Sequence, residues 1–249
     1  MKEDFNDLKK KFYEIKKRGW IKSDRSDYGG IGITFENLVG IPNNELEIPD
    51  FGLIEIKTKT TDCDSYTTLF NRVPTGPHYH EVERLKDLYG YSDSVLKNAK
   101  VLNTAIYCNK LTKVESKFYF CLNIDRMNQK IFLNIFNCKK NLIEKEVFWD
   151  FDILKEKLYR KLKYLAIIKA KKKLVNGEKF FKYYKMDVYK LKNFDTFIYL
   201  IEKGIIRVSL KIGVFRNGNK IGKIHDRGTA FGIKEQNLKY LYSIIDSID

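Results

Sequence analysis

Cysteine is scarce in this sequence. The 249 residues hold four (Cys63, Cys108, Cys121, Cys138), and no two stand as a CxxC pair. A zinc ribbon or a dithiol redox motif needs closely spaced thiols, so both are excluded, and the usage fits a reducing cytosol rather than a disulfide-stapled exterior. Proline is confined: all four lie between Pro42 and Pro77, and no Pro-rich or low-complexity linker divides the chain. No window approaches the ~18 uninterrupted apolar residues of a membrane span. The opening MKEDFNDLKKKF is charged and lacks the apolar stretch of a secretory signal, so no membrane association is expected. Histidine is limited to three residues. His78 and His80 flank Tyr79 with no further Cys or His close by, which is a poor zinc set; a contact with nucleic acid from this Pro-rich turn, with Arg72, Thr75 and Gly76, is the better reading.

Acidic side chains are in deficit. Forty-seven Lys and Arg against 32 Asp and Glu leave a formal charge of +15. An excess of this size suits a polyanionic partner, and nucleic acid is the commonest in a cell. The excess is uneven: 14 basic residues against three acidic between Lys155 and Lys192, and seven against Asp226 alone between Lys203 and Arg227. Hydrophobic residues at 43% and aromatics at 14% are ample for a packed core. A solubilising basic surface would give the same arithmetic, so charge alone does not separate a nucleic-acid enzyme from a binding module.

Periodicity predicts a mixed α/β (α+β) fold. Phe5, Leu8, Phe12 and Ile15 mark a first helix over 5–18, and Thr34 opens a second after the Gly-rich run Ser26–Gly32. Strands are predicted at 53–58, 67–70, 103–109, 117–124, 130–137, 164–170, 205–215 and 229–233. Helices are predicted at 80–89, 92–99, 150–162, 188–203 and 235–246. In the tract Lys169–Lys173 with Phe180, Phe181, Tyr183 and Tyr184, the aromatics suit either a platform for single strands or one side of a strand in the core. A shift toward basic residues near 140 suggests two lobes, 1–140 and 141–249.

The chemistry concentrates in Pro49-Asp50-Phe51-Gly52-Leu53-Ile54-Glu55-Ile56-Lys57. Alternate residues of a strand share a face, so Glu55 and Lys57 point one way and Ile54 and Ile56 the other. Asp50, before the turn at Gly52, can swing toward the same place. Two carboxylates can hold a hard divalent cation such as Mg²⁺, which keeps waters in its remaining positions. Lys57 can orient or deprotonate a water, or meet a phosphate as a point charge. Glu36, on the second helix, offers a further carboxylate from another element. The plain alternatives are an amphipathic hairpin with a Glu–Lys pair facing solvent, and an exposed helix glutamate favoured by the helix dipole. The Gly-rich run lacks the GK[ST] ending of a phosphate-binding loop, which excludes nucleotide triphosphate binding by that device. His225, Asp226 and Arg227 form a polar run between two strands, where Asx-type turn bonding is the plain reading and contact with base edges the functional one.

These residues carry a resemblance. Gly19-Trp20, Arg25, the run Tyr28-Gly29-Gly30-Ile31-Gly32-Ile33-Thr34-Phe35-Glu36-Asn37-Leu38, the segment Pro49–Thr58, Thr68-Leu69-Phe70, Lys161–Ile168 and His225–Phe231 occur in this order over nearly the whole chain. Together they resemble the MvaI/BcnI family of type II restriction endonucleases, of the PD-(D/E)XK fold and related to the MutH mismatch-repair nickase. The resemblance implies a central mixed sheet flanked by helices, with a catalytic lobe and a recognition lobe around a DNA duplex. It implies Asp50 and Glu55 as metal ligands for Mg²⁺, Lys57 as catalytic lysine and Glu36 as auxiliary acid; His225, Asp226 and Arg227 fall in the segment that resembles the family's recognition lobe and, with Arg72 of the Pro-rich turn, are read as DNA contacts. It further implies a monomer in a bacterial cytoplasm that cuts double-stranded DNA at a short CC-N-GG-type site, one strand per binding event, beside a separate cognate DNA methyltransferase. The chain departs from the family pattern at Gly232, where relatives tend to carry arginine, at Arg227, where the pattern has histidine, and across His78–Lys100. Two other classes remain open: a MutH-like nickase dependent on partner proteins, and a non-catalytic DNA-binding protein.

Overall fold

A strand that is apolar on both faces needs cover on both sides, and residues 164–170 are such a strand. In the computed structural model, which describes residues 2–27, 29–42, 48–61 and 64–249, Tyr164–Val175 lies inside a mixed sheet. It pairs parallel with Ile54–Thr60, Glu55 opposite Leu165, and antiparallel with Glu178–Leu191. Ile21–Lys22 and Tyr242–Ile248 each pair with Glu178–Leu191. The hairpin between the two long strands turns at Asn176 and Gly177, with φ of 51° and 80°. An Asn-Gly pair accepts this left-handed conformation, and the turn's twist matches that of its flanking strands. Helices Lys2–Lys17 and Gly30–Val39 supply Leu8, Phe12, Ile15, Phe35 and Val39, which pack with Ile54, Ile56, Ala166, Ile168, Phe181 and Tyr183. Phe181 and Tyr183 are therefore core residues, as strand alternation requires, while Phe180 and Tyr184 are partly exposed beside Lys173 and Lys171. Tyr28 and Cys63 lie outside the described residues; Cys108, Cys121 and Cys138 are free thiols.

The elements fall into two compact units, each assembled from separated segments: Met1–Ser65, Lys157–Lys192 and Lys239–Asp249 in one, Tyr66–Glu156 and Asn193–Leu238 in the other. A single change of character near residue 140 does not follow this interleaving. The second unit holds a six-stranded sheet and a four-stranded antiparallel one. In the six-stranded sheet Ile206–Val214 is flanked by Ala230–Lys234 and Lys100–Ile106, and Tyr66–Asn71 pairs beyond Ala230–Lys234. Helix Phe194–Glu202 packs Phe197 against Phe70 and Phe231, with ring centroids 5.8 and 5.9 Å apart.

Several predicted helices take other forms. Residues 92–99 are a turn, because the Asp93 carboxylate accepts from the amides of Val95 and Leu96 and pairs with Arg216. Those bonds supply locally what a helix would have supplied. In 188–203 the strand persists to Leu191, and the helix starts only after Asn193, whose side chain accepts from the Thr196 amide at 2.8 Å; this is N-capping. Residues 235–246 are helical only over the 3₁₀ turn Glu235–Asn237 and the four-residue α-helix Leu238–Leu241, and continue as the strand Tyr242–Ile248. Here pairing with Glu178–Leu191 overrides helical spacing, a tertiary effect on a segment rich in β-branched isoleucine. Leu142–Asp150, whose alternation is masked by Glu and Lys, is a further strand.

Candidate active site

The turn before Ile54–Thr60 sets the first carboxylate. Phe51 and Ile54 exchange backbone hydrogen bonds at 2.9 and 2.8 Å, and Gly52 between them has φ +56°. A side chain at Gly52 would be strained there and would also strike the Asp4 carboxylate, 2.6 Å from where its Cβ would stand. With the turn closed, the Asp50 carboxylate accepts from the Ile56 amide at 2.8 Å, which anchors it at the start of the strand beside Glu55.

Glu55 is wholly buried, so the solvent-facing hairpin is not what the strand forms. Its Oε1 accepts from Lys57 Nζ and has Lys161 Nζ at 3.5 Å; its Oε2 is buried with no protein partner. Burial pushes the Glu55 carboxyl above its ordinary value, Lys57 opposes this, and the Asp50 charge raises it further. Glu36, half-buried on Gly30–Val39, is likewise raised by burial and then by Asp50, with Lys57 opposing. The four residues singled out in the sequence therefore share one electrostatic neighbourhood. Two others were not legible in advance. Lys161 ends the helix Phe151–Leu162. Tyr242, fully buried, carries a hydroxyl with no hydrogen-bond partner, and burial followed by the Glu55 charge pushes it up. Lys161 sits in a segment that carries the family resemblance; no local signal marks Tyr242.

This donor set suits a hard divalent cation. An orphan carboxylate oxygen in a dry site is costly, and carboxylates that raise one another's proton affinity gain from a shared positive charge. Among the described residues no three His, Cys, Asp or Glu side chains come together as a group that could hold a metal ion; a cation on Asp50 and Glu55 would take its remaining ligands from water and phosphate, as Mg²⁺ commonly does.

A stability prediction follows from Glu55. Its folded-state proton affinity exceeds the unfolded one, so at this group the folded protein binds more protons, and the Glu55 contribution to stability is most favourable below the ordinary glutamate value and is lost as pH rises through the raised one. Metal-free Glu55→Gln is expected to melt above the wild type at neutral pH, with the gap closing below the ordinary glutamate value of 4.5. Thermal melts across pH check this; a lower melting temperature at neutral pH would mean that the Lys57 and Lys161 pairs outweigh burial.

The second unit gathers the other named residues. The Arg72 amide donates to the Thr229 carbonyl at 2.8 Å, and the Asn71 side chain packs against Gly228, so Arg72 adjoins the 225–229 segment. His225 stacks on Phe215 with centroids 4.2 Å apart and planes 5° from parallel. Asp226, an exposed residue, accepts from the Gly228 amide at 2.8 Å, the expected Asx turn. Arg227 is exposed, its amide donating to the Lys211 carbonyl. His78, Tyr79 and His80 are exposed on the segment after the Gly76–Pro77 peptide.

Comparison with known proteins agrees with this geometry. The family model described as the MvaI/BcnI restriction endonuclease family matches residues 9–242. Among solved structures, the chain is similar to restriction endonuclease MvaI in complex with its cognate DNA substrate, at 34% identity and a TM-score of 0.91, covering 98% of each chain. It is also similar to restriction endonuclease MvaI in the absence of DNA, at 31% identity and a TM-score of 0.64, covering 100% of this chain and 99% of that one. No curated protein matches by sequence. With the restriction-endonuclease fold, the paired carboxylates and a family match over nearly its whole length, the chain belongs to the MvaI/BcnI restriction endonuclease family.

Proposed function

We propose that this family member hydrolyses phosphodiester bonds in double-stranded DNA at a short site of the CC-N-GG kind, with Mg²⁺ as cofactor. It acts as a monomer, cuts one strand per binding event, and works in a bacterial cytoplasm where a separate methyltransferase protects host sites. The observation that carries this reading is the buried Glu55, one oxygen committed to lysines and the other without a protein partner. A non-catalytic binder has no use for such a group beside phosphates. The similar chain solved with cognate DNA supports a duplex as the substrate.

In this reading Asp50 and Glu55 hold the cation and Glu36 is the auxiliary carboxylate. A divalent cation there would lower the pKa of a coordinated water and offset charge on the scissile phosphate. Lys57, drawn away from Glu55 Oε1, orients the attacking water or meets the phosphate as a point charge. Lys161 stays against the same oxygen, so Glu55 is not left as a bare buried charge. Arg72, His225, Asp226 and Arg227 contact DNA: an arginine fork matches guanine N7 and O6, an aspartate accepts from cytosine N4, and histidine donates or accepts according to tautomer.

The test is incubation of the purified protein with plasmid and Mg²⁺, followed by sequencing of the ends. Discrete ends at one short G·C-rich sequence are expected. Binding without cleavage would favour a binding module, and single-strand nicks that need an added protein would favour a repair nickase.

A further inference from the structure

The six-stranded sheet of the second unit has a core face and a polar face. Ile206, Val208, Leu210 and Ile212 are buried, so Arg207, Ser209 and Lys211 alternate onto the opposite side. The floor around them is small: Ala230 and Ala105 flank Ser209, and Gly232 lies directly opposite Arg207. A Cβ built on Gly232 would already touch the Thr67 carbonyl and the Tyr66 side chain at 3.5 Å, so the absence of a side chain there keeps the floor beside Tyr66 low.

Two cations stand on this face without counter-charge among the described residues. The Arg207 guanidinium lies 3.6 Å from the centroid of the Tyr66 ring, Nη1 donates to the Tyr107 hydroxyl at 3.3 Å, and Nε is buried with no partner. Lys211 is half-buried, and burial together with the Arg207 charge holds its ammonium below the ordinary lysine range. Among the described residues no carboxylate pairs with either side chain. Like charges on a partly dehydrated face destabilise the free protein until acceptors arrive.

The restraint on Arg207 narrows the class of acceptor. A lysine-like point charge serves a phosphate without orientation, whereas a planar fork stacked on one tyrosine and tied to another presents its remaining N–H edge in a fixed plane. Guanine offers two acceptors, N7 and O6, in one plane of the major groove, and bidentate arginine is their commonest partner. We propose that Arg207, braced by Tyr66 and Tyr107, is a specificity-determining residue that reads a guanine, with Lys211 contacting the DNA beside it. This deepens the endonuclease reading and rests on it.

Initial cleavage rates with Mg²⁺, on the mapped site and on each of its single-base variants, test the assignment for wild type, Arg207→Ala and Arg207→Lys, with melting temperatures confirming that each variant folds. Arg207→Ala is expected to lose about 5- to 150-fold on the mapped site and to stop discriminating at one G·C pair, with preferences elsewhere kept. Arg207→Lys retains charge and bulk but lacks the fork, so it is expected not to restore that discrimination. Equal losses at every sequence, an unchanged panel, or full rescue by lysine would overturn the inference while the endonuclease reading stands. A wild type that cuts no sequence would overturn both.

Discussion

Asp50→Asn is expected to abolish cleavage while leaving DNA binding intact. The amide cannot ligand a hard cation as a carboxylate does, and the several kcal/mol of charge stabilisation that a cation supplies would be lost. At ~1.4 kcal/mol per tenfold, that amounts to a fall of about three orders of magnitude or more. The substitution is gentle on the fold, because the asparagine oxygen can still accept from the Ile56 amide that the Asp50 carboxylate holds at 2.8 Å. Removing a negative charge beside phosphates does not weaken binding electrostatically. Cleavage assays, gel-shift titrations and thermal melts of the same preparation separate the three effects, and full cleavage by Asp50→Asn would remove Asp50 from the site.

Binding is expected to weaken steeply with salt. Each phosphate neutralised by Lys or Arg contributes about −0.9 to the log–log slope, and six to ten contacts cost about 10³–10⁵ in affinity between 50 and 200 mM salt. The count of 47 Lys and Arg overstates the cations that are free to meet phosphates. Lys9, Lys22, Lys185 and Arg126 are tied to Asp246, Glu178, Asp249 and Glu202. By contrast, the exposed Lys171, Lys172 and Lys173 on the Asn176–Gly177 hairpin pair with no carboxylate among the described residues, as is true of Arg207 and Lys211. These cations are the ones expected to release counterions. A flat titration would mean that the basic excess only solubilises the chain.

How far the sequence reveals this protein depends on how local each feature is. The turn at Gly52, the alternation through Glu55 and Lys57, and the amphipathic first helix are short-range patterns, and all are present in the fold. The burial of Glu55 is not local. It arises because Ile54–Thr60 pairs with Tyr164–Ala170, more than a hundred residues away, and nothing in PDFGLIEIK announces that neighbour. Lys161 and Tyr242 reach Glu55 by the same long-range assembly. The final segment shows the reverse error: Leu238, Leu241, Tyr242 and Ile245 have helical spacing, yet the helix stops at Leu241 and a ladder on Glu178–Leu191 captures Tyr242–Ile248 as a strand. Strand alternation in Ile206–Val214 was readable. The isolation of Arg207 from any carboxylate among the described residues was not, since that depends on which residues of the neighbouring strands share its face.

The central claim is that one site, built on Asp50, Glu55, Lys57 and Glu36, hydrolyses DNA with a divalent cation. Its most direct test is a time course on supercoiled plasmid carrying a single mapped site, with protein stripped by EDTA and Mg²⁺ then restored. The expected result is no product before Mg²⁺ is added, then nicked circles that rise ahead of linear DNA as a single site cuts the strands in turn. Cleavage that proceeds at an undiminished rate in EDTA would contradict the account.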